Sequence, residues 1–226
     1  KSIDNIIKTK FELMDSVRKN GGITFLNYSN EHLAKQKIES DMLTYGVNNN
    51  DLNYNGYNLN STSQGLAFTI LDKNSNKEVQ FKTKLIGKHN AINLTAAIAV
   101  SNYLDVPLEA LVSRVREIKS VEHRLQLIPH GDFAIIDDSY NSNPISSKSA
   151  LDTLAEFEGT KIIVTPGLIE LGEDETKYNF EFGQYMTNVC DYIFLVGKEQ
   201  TKAIYEGVIH SNFNKEKELL KKFNIK

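Results

Sequence analysis

Four short stretches of the chain carry residue types that could do chemistry. Gly87-Lys88-His89-Asn90-Ala91-Ile92-Asn93 is a glycine turn running into a helix start, and Asn90 and Asn93 share one face of its first turn. An asparagine amide offers a paired acceptor and donor, which suits an adenine edge; an Asn here also commonly caps a helix. Arg124 follows His123 ahead of an apolar run, and is an ordinary surface charge unless a phosphate meets it. In Ile135-Ile136-Asp137-Asp138-Ser139-Tyr140-Asn141-Ser142-Asn143-Pro144 an apolar strand ends in two acids and a turn dense in hydrogen-bonding groups. Adjacent strand side chains point to opposite faces, so Asp137 and Asp138 do not form a simple carboxylate pair. One orients the loop and the other is placed for a hydroxyl such as that of ribose. The competing reading is an Asx-turn with Pro144 opening the next helix. Thr165-Pro166-Gly167-Leu168-Ile169-Glu170-Leu171-Gly172-Glu173 is a further strand-exit loop.

Other chemistries are disfavoured. The sequence holds no Walker-type phosphate loop with its Lys-Ser/Thr pair, no His-Glu-x-x-His, and five histidines without metal-ligand spacing. Its single Cys190 permits no disulfide framework or Cys-based zinc site, points to a reducing compartment, and reads as a small buried hydrophobe. A formal charge of -3 and pI near 6.0 provide no basic face for nucleic acid. No apolar run approaches the ~20 residues that span a bilayer, so a cytoplasmic chain acting on neither nucleic acid nor membrane is expected, and a monomer.

These loops need elements to position them. Apolar spacing predicts a helix over 1–19, closed by Asn20-Gly21-Gly22. A strand at 23–28, a polar segment with helical potential at 31–38 and a strand at 42–47 come next. The Asn-, Tyr-, Ser- and Gly-rich tract 48–64 reads as unable to build a core, with Asn55-Gly56 as a turn signal. Runs 66–71 and 79–86 form a hairpin, and small residues from Asn90 to Leu104 form a helix that packs closely on a sheet. Asp105-Val106-Pro107 is the expected domain boundary. Beyond it, helical segments at 108–119, 146–157, 174–188 and 200–208 are interspersed with strands at 125–128, 133–137, 161–165 and 192–196. That alternation predicts an α/β fold with a parallel sheet and helices on both faces. Ligands of such sheets sit beyond the carboxyl ends of the strands, where the loops after Asp137, Thr165 and Val196 lie.

Taken in order, the segments resemble the Mur ligases, ATP-dependent amide ligases that add amino acids to the peptidoglycan precursor. The shared sequence features are GxHNxxN at Gly87–Asn93, the Arg after His123, DDSYNSNP at Asp137–Pro144, ELGE at Glu170–Glu173 and a strand ending Val196-Gly197. The Asp-Ser-Tyr-Asn-x-Asn-Pro form most resembles the branch that adds D-alanyl-D-alanine to UDP-N-acetylmuramoyl tripeptide. One departure is Gly167, where that branch more commonly has Asp. Residues 2–12 are similar to the family's stretch just after its catalytic core. The family's phosphate-binding loop, metal-binding glutamate and histidine, and carbamylated lysine lie upstream of it and are not in this sequence.

The resemblance implies that residues 1–105 are the C-terminal part of the central ATPase domain and 106–226 the Rossmann-like C-terminal domain. It implies ATP as cofactor, Mg2+ held by the upstream half, and a fragment inactive alone. Asn90 and Asn93 would face adenine, Arg124 the phosphates as the catalytic cation, and Asp138 the ribose. Tyr140, Asn141 and Asn143 would lie near the substrates, a UDP-linked muramoyl peptide and a D-amino-acid dipeptide. The alternatives are another ligase of the superfamily, of the folylpolyglutamate type, and a non-catalytic nucleotide- or peptide-binding module.

Overall fold

The computed structural model describes residues 3–199 and 201–211. The chain divides into two compact units, 1–119 and 120–226. In the first, α1 (Ile3–Lys19) precedes a five-stranded sheet of β1 (Thr24–Asn27), β2 (Met42–Val47), β3 (Tyr54–Thr62), β4 (Gly65–Asp72) and β5 (Lys77–Thr83), in that spatial order. The first three strands run parallel, and β3, β4 and β5 pair antiparallel. β4 alternates buried and half-buried positions, as a sheet with one fully covered face requires. Its Phe68 faces Phe81 of β5 across the ladder, the rings 5.7 Å apart. Onto them pack Ala91, Leu94, Ile98 and Ala99 of α2 (His89–Tyr103) and Leu108 and Val115 of α3 (Leu108–Glu117).

Four expectations are corrected here. Residues 31–38 form turns, not a helix. The Asn-rich tract is not coreless: β3 runs through it and buries Tyr54 and Asn55. Asn55 is tolerated there because its side-chain oxygen accepts from the Asn49 N–H at 3.0 Å and its amide donates to Asn50 at 2.9 Å, so a buried polar group is satisfied. Gly56 is thus a strand residue, lying against Thr95 of α2, not a turn. The units divide at Lys119/Ser120 instead of at Asp105–Pro107, because α3 buries Leu108 and Val115 in the first unit's core.

The second unit begins with the hairpin β6 (Gln126–His130) and β7 (Phe133–Asp137). These strands are antiparallel, where the sequence pattern suggests parallel pairing; Gly131-Asp132 is too short for the crossover that parallel strands need. α4 (Pro144–Ala155), β8 (Ile162–Thr165), α5 (Glu175–Met186), β9 (Tyr192–Leu195) and α6 (Thr201–His210) follow. β8 and β9 are the parallel pair among the described residues of this unit. Their core gathers Leu151, Met186, Cys190, Ile193, Ile204 and Val208, so Cys190 is the buried hydrophobe its context implied.

Candidate functional site

The second unit folds two of the singled-out stretches onto each other. β6 and β7 are paired from His130–Phe133 back to Gln126–Asp137, so the residues entering β6 lie beside those leaving β7. The His123 imidazole Nδ1 is 2.8 Å from an Asp137 carboxylate oxygen, and the Tyr140 N–H donates to the His123 carbonyl at 3.1 Å. Two residues on from His123, the Leu125 N–H donates to Asp138 Oδ1 at 3.0 Å. Between these clasps stands Arg124, its guanidinium 4.4 Å from the centre of the Tyr140 ring. Among the described residues Arg124 has no carboxylate partner, since Asp137 turns to His123 and to the Ser139 N–H. An exposed cation on an aromatic face, with its N–H donors turned to no acid, can take a phosphate.

The backbone around Arg124 is unusual. His123 and Leu125 both have positive φ, 61° and 45°, a region that costs a non-glycine residue about 1–3 kcal/mol. The hydrogen bonds just described hold the segment there. Asp137 orients the loop, as the strand geometry suggested for one of the two acids.

The Ser139 hydrogen bonds, then the His123 pairing, hold the Asp137 carboxyl below its ordinary range, while the hydrogen bond to Asp137 and its charge lift the His123 imidazole. The raised imidazole contributes below its ordinary value and is lost as pH rises through the lifted one; the lowered carboxyl contributes above its ordinary value and is lost as pH falls. The pair is therefore fully formed between the ordinary value of a carboxyl and that of an imidazole, on the acid side of neutrality, and weakens as pH rises through the lifted imidazole value or falls through the lowered carboxyl value. An NMR titration of the His123 ring is expected to show a midpoint above that of a free imidazole, moving back toward it in Asp137→Asn.

The remaining predicted residues divide. Tyr140 and Asn141 are exposed on the same loop. Asn143 is different: it is the N-cap of α4, its side-chain oxygen accepting from the Ile145 and Ser146 N–H groups at 3.0 Å each. Ser146 Oγ in turn accepts from the Asn143 N–H, and Pro144 fills the first helical position. Asn143 thus has a structural role, the one the Asx-turn reading described, and its exposed amide remains on the same loop as Tyr140 and Asn141. Asn143→Ala is expected to cost about 1 kcal/mol, read as a lower urea midpoint.

In the first unit, α2 starts with Lys88 at the N-cap, so neither Asn90 nor Asn93 caps it. Asn90, half-buried, donates its amide to the Ile86 carbonyl at 2.8 Å and accepts from the Asn93 amide at 3.3 Å. The inner asparagine is thereby fixed, and the outer, exposed one extends from it on the face their spacing predicted.

The loop 165–173 is held by a residue that motif reading passed over. Asn179 of α5, buried, bonds both the N–H and the carbonyl of Leu168 at 2.8 Å. The detectable signal was a polar residue among the apolar positions of a helix.

Mg2+ would need a cluster of oxygen or nitrogen ligands. Among the described residues no group of three or more His, Cys, Asp or Glu could hold a metal ion, so no residue here is assigned to it.

The profile of the Mur ligase middle domain matches residues 1–101, and that of the Mur ligase glutamate ligase domain matches 123–222. The chain belongs to the Mur ligase family. The two matches flank the division between the compact units. A UDP-N-acetylmuramoyl-tripeptide–D-alanyl-D-alanine ligase of Buchnera aphidicola is 28% identical over 233 residues, covering 100% of this chain and 49% of that protein. The Bacillus subtilis ligase of the same name is 29% identical over 204 residues, 87% of this chain and 42% of its own length. This Mur ligase chain therefore spans about half the length of the curated relatives it matches. In fold it is similar to a MurF crystal structure from Acinetobacter baumannii, with a TM-score of 0.72 at 23% identity over 82% of this chain and 41% of that one. A Thermotoga maritima MurF ligase in complex with ADP gives 0.67 at 20% identity over 80% and 42%. Among the described residues no helix is long and apolar enough to cross a membrane.

Proposed function

We propose that this chain is the nucleotide- and acceptor-side portion of an ATP-dependent ligase that joins D-alanyl-D-alanine to UDP-N-acetylmuramoyl tripeptide in the cytoplasm, as a monomer. The observation that carries it is Arg124, held over Tyr140 with no acid opposite it among the described residues and flanked by the Asp137–Tyr140 strand exit. The D-alanyl-D-alanine ligases among the curated relatives cover 87–100% of the chain, against 73% for the L-alanine ligases, which supports this acceptor.

In this reading a carboxylate oxygen of the tripeptide attacks the γ-phosphorus of ATP and the bond to ADP breaks. The dipeptide amine then attacks the acyl phosphate carbonyl, loses its proton, and phosphate leaves with the carboxylate's oxygen. Arg124 stabilises charge on the transferring phosphoryl group, the largest single contribution expected in such chemistry. Asn93, fixed through Asn90, meets the adenine edge, and Asp138 the ribose. Tyr140 and Asn141 border the substrates. The phosphate loop and the Mg2+ ligands belong to upstream sequence, so the chain alone turns nothing over.

Tripeptide substrate labelled with ¹⁸O in its reacting carboxylate tests the route. In the longest natural polypeptide containing this chain, one label is expected in each phosphate released. Phosphate free of label would overturn the acyl phosphate step.

A further inference from the structure

Resting on the reading of Arg124 as the phosphate-binding cation, we propose that His123 and Asp137 form a clamp that positions Arg124, by locking the backbone that carries it against the exit of β7. Neither residue touches substrate in this assignment; both act through Arg124.

Three observations support it. First, Arg124 lies between two residues with positive φ, a conformation that an ordinary loop would leave. Second, the contacts on both sides of it lead to three residues of one four-residue stretch, 137–140. His123 reaches Asp137 through its ring and Tyr140 through its carbonyl, Leu125 reaches Asp138 through its N–H, and the guanidinium rests on Tyr140. The His123 N–H is also tied, to Gln126 Oε1 at 3.2 Å. Third, the His123–Asp137 bond joins two side chains and is the shortest hydrogen bond of this set, at 2.8 Å. Asp137 is also fixed from its own side, because its other oxygen accepts from the Ser139 N–H at 3.1 Å. The imidazole is thus held by an anchored acceptor, and through it the turn that aims Arg124.

A clamp of this kind improves transition-state geometry more than ground-state binding, because adenine and ribose contacts remain. The informative variant is His123→Gly, which removes the ring while suiting the positive φ, so that loss of the clamp is separated from backbone strain. His123→Asn is the conservative partner: its amide nitrogen stands near the position of Nδ1, and Asn accepts positive φ more readily than most residues. Both are made in the longest natural polypeptide containing this chain, with Arg124→Ala alongside.

The expected result is a kcat about tenfold lower in His123→Gly, KM for ATP within twofold, an unchanged melting temperature, and most of the rate restored in His123→Asn. Asp137→Ala is expected to match His123→Gly. Unchanged kcat in His123→Gly while Arg124→Ala is impaired would overturn the clamp and leave the role of Arg124 standing. Normal kinetics in Arg124→Ala would instead overturn the reading on which it rests. Loss in His123→Gly that His123→Asn does not relieve would also count against the clamp, as would equal loss of folding in both.

Discussion

Arg124→Ala is expected to lower the kcat of ATP-dependent ligation on the order of 10²–10³-fold, the range seen when a preorganised donor to developing charge is removed. The size of the effect follows from the local electrostatics. A guanidinium paired with a carboxylate would already be neutralised, and its loss would chiefly disturb folding. Arg124 instead rests on the Tyr140 ring, while the neighbouring acids Asp137 and Asp138 bond to His123, Ser139 and Leu125. Its removal forfeits only an exposed cation–π contact, worth about 0.5–1 kcal/mol of stability. Steady-state kinetics and a thermal melt on the same variant separate the two contributions. Arg124→Lys keeps the charge but not the planar fork of donors, and is expected to fall between. A rate within threefold of wild type for Arg124→Ala would remove the phosphate role.

The second large effect is on stability. Helices α5 and α6 approach so closely that each presents a glycine to the other's backbone. A methyl group on Gly183 would collide with the Ile204 carbonyl, and one on Gly207 with the Phe180 carbonyl. Main-chain oxygens within helices cannot rotate aside, so the helices would have to separate and open the core around Met186, Ile204 and Val208. Gly183→Ala and Gly207→Ala are each expected to destabilise the protein by about 3 kcal/mol, the upper range of ordinary overpacking. Helix propensity alone predicts the opposite sign, a gain of up to about 1 kcal/mol. Urea unfolding decides between them: a midpoint that falls supports the close approach, and one that rises contradicts it.

Much of this was legible in the sequence, for identifiable reasons. Strand β7 was readable because an apolar run ends in two acids, and α2 because small residues recur at helical spacing. The reach of β3 was not, since Asn55 looks like a turn residue until Asn49 and Asn50 are seen to satisfy it. The end of the first unit was misplaced for a similar reason. Pro107 does stop one helix, but whether α3 belongs to the core before it depends on where Leu108 and Val115 pack. In the site, the residue types pointed to Arg124, Asp138 and the asparagine pair. The His123–Asp137 pairing was hidden because a 14-residue separation becomes a 2.8 Å contact only once β6 and β7 form a hairpin. Asn143 shows the converse: it sits in a motif dense in polar groups, yet its oxygen serves the start of α4.

The most direct test is the product formed when the longest natural polypeptide containing this chain is given ATP, UDP-N-acetylmuramoyl tripeptide and D-alanyl-D-alanine. Mass spectrometry is expected to show the tripeptide extended by the dipeptide with loss of one water, matched by one ADP and one phosphate per product. Extension of a folate by glutamate under the same conditions, or ATP consumption without an amide product, would contradict it.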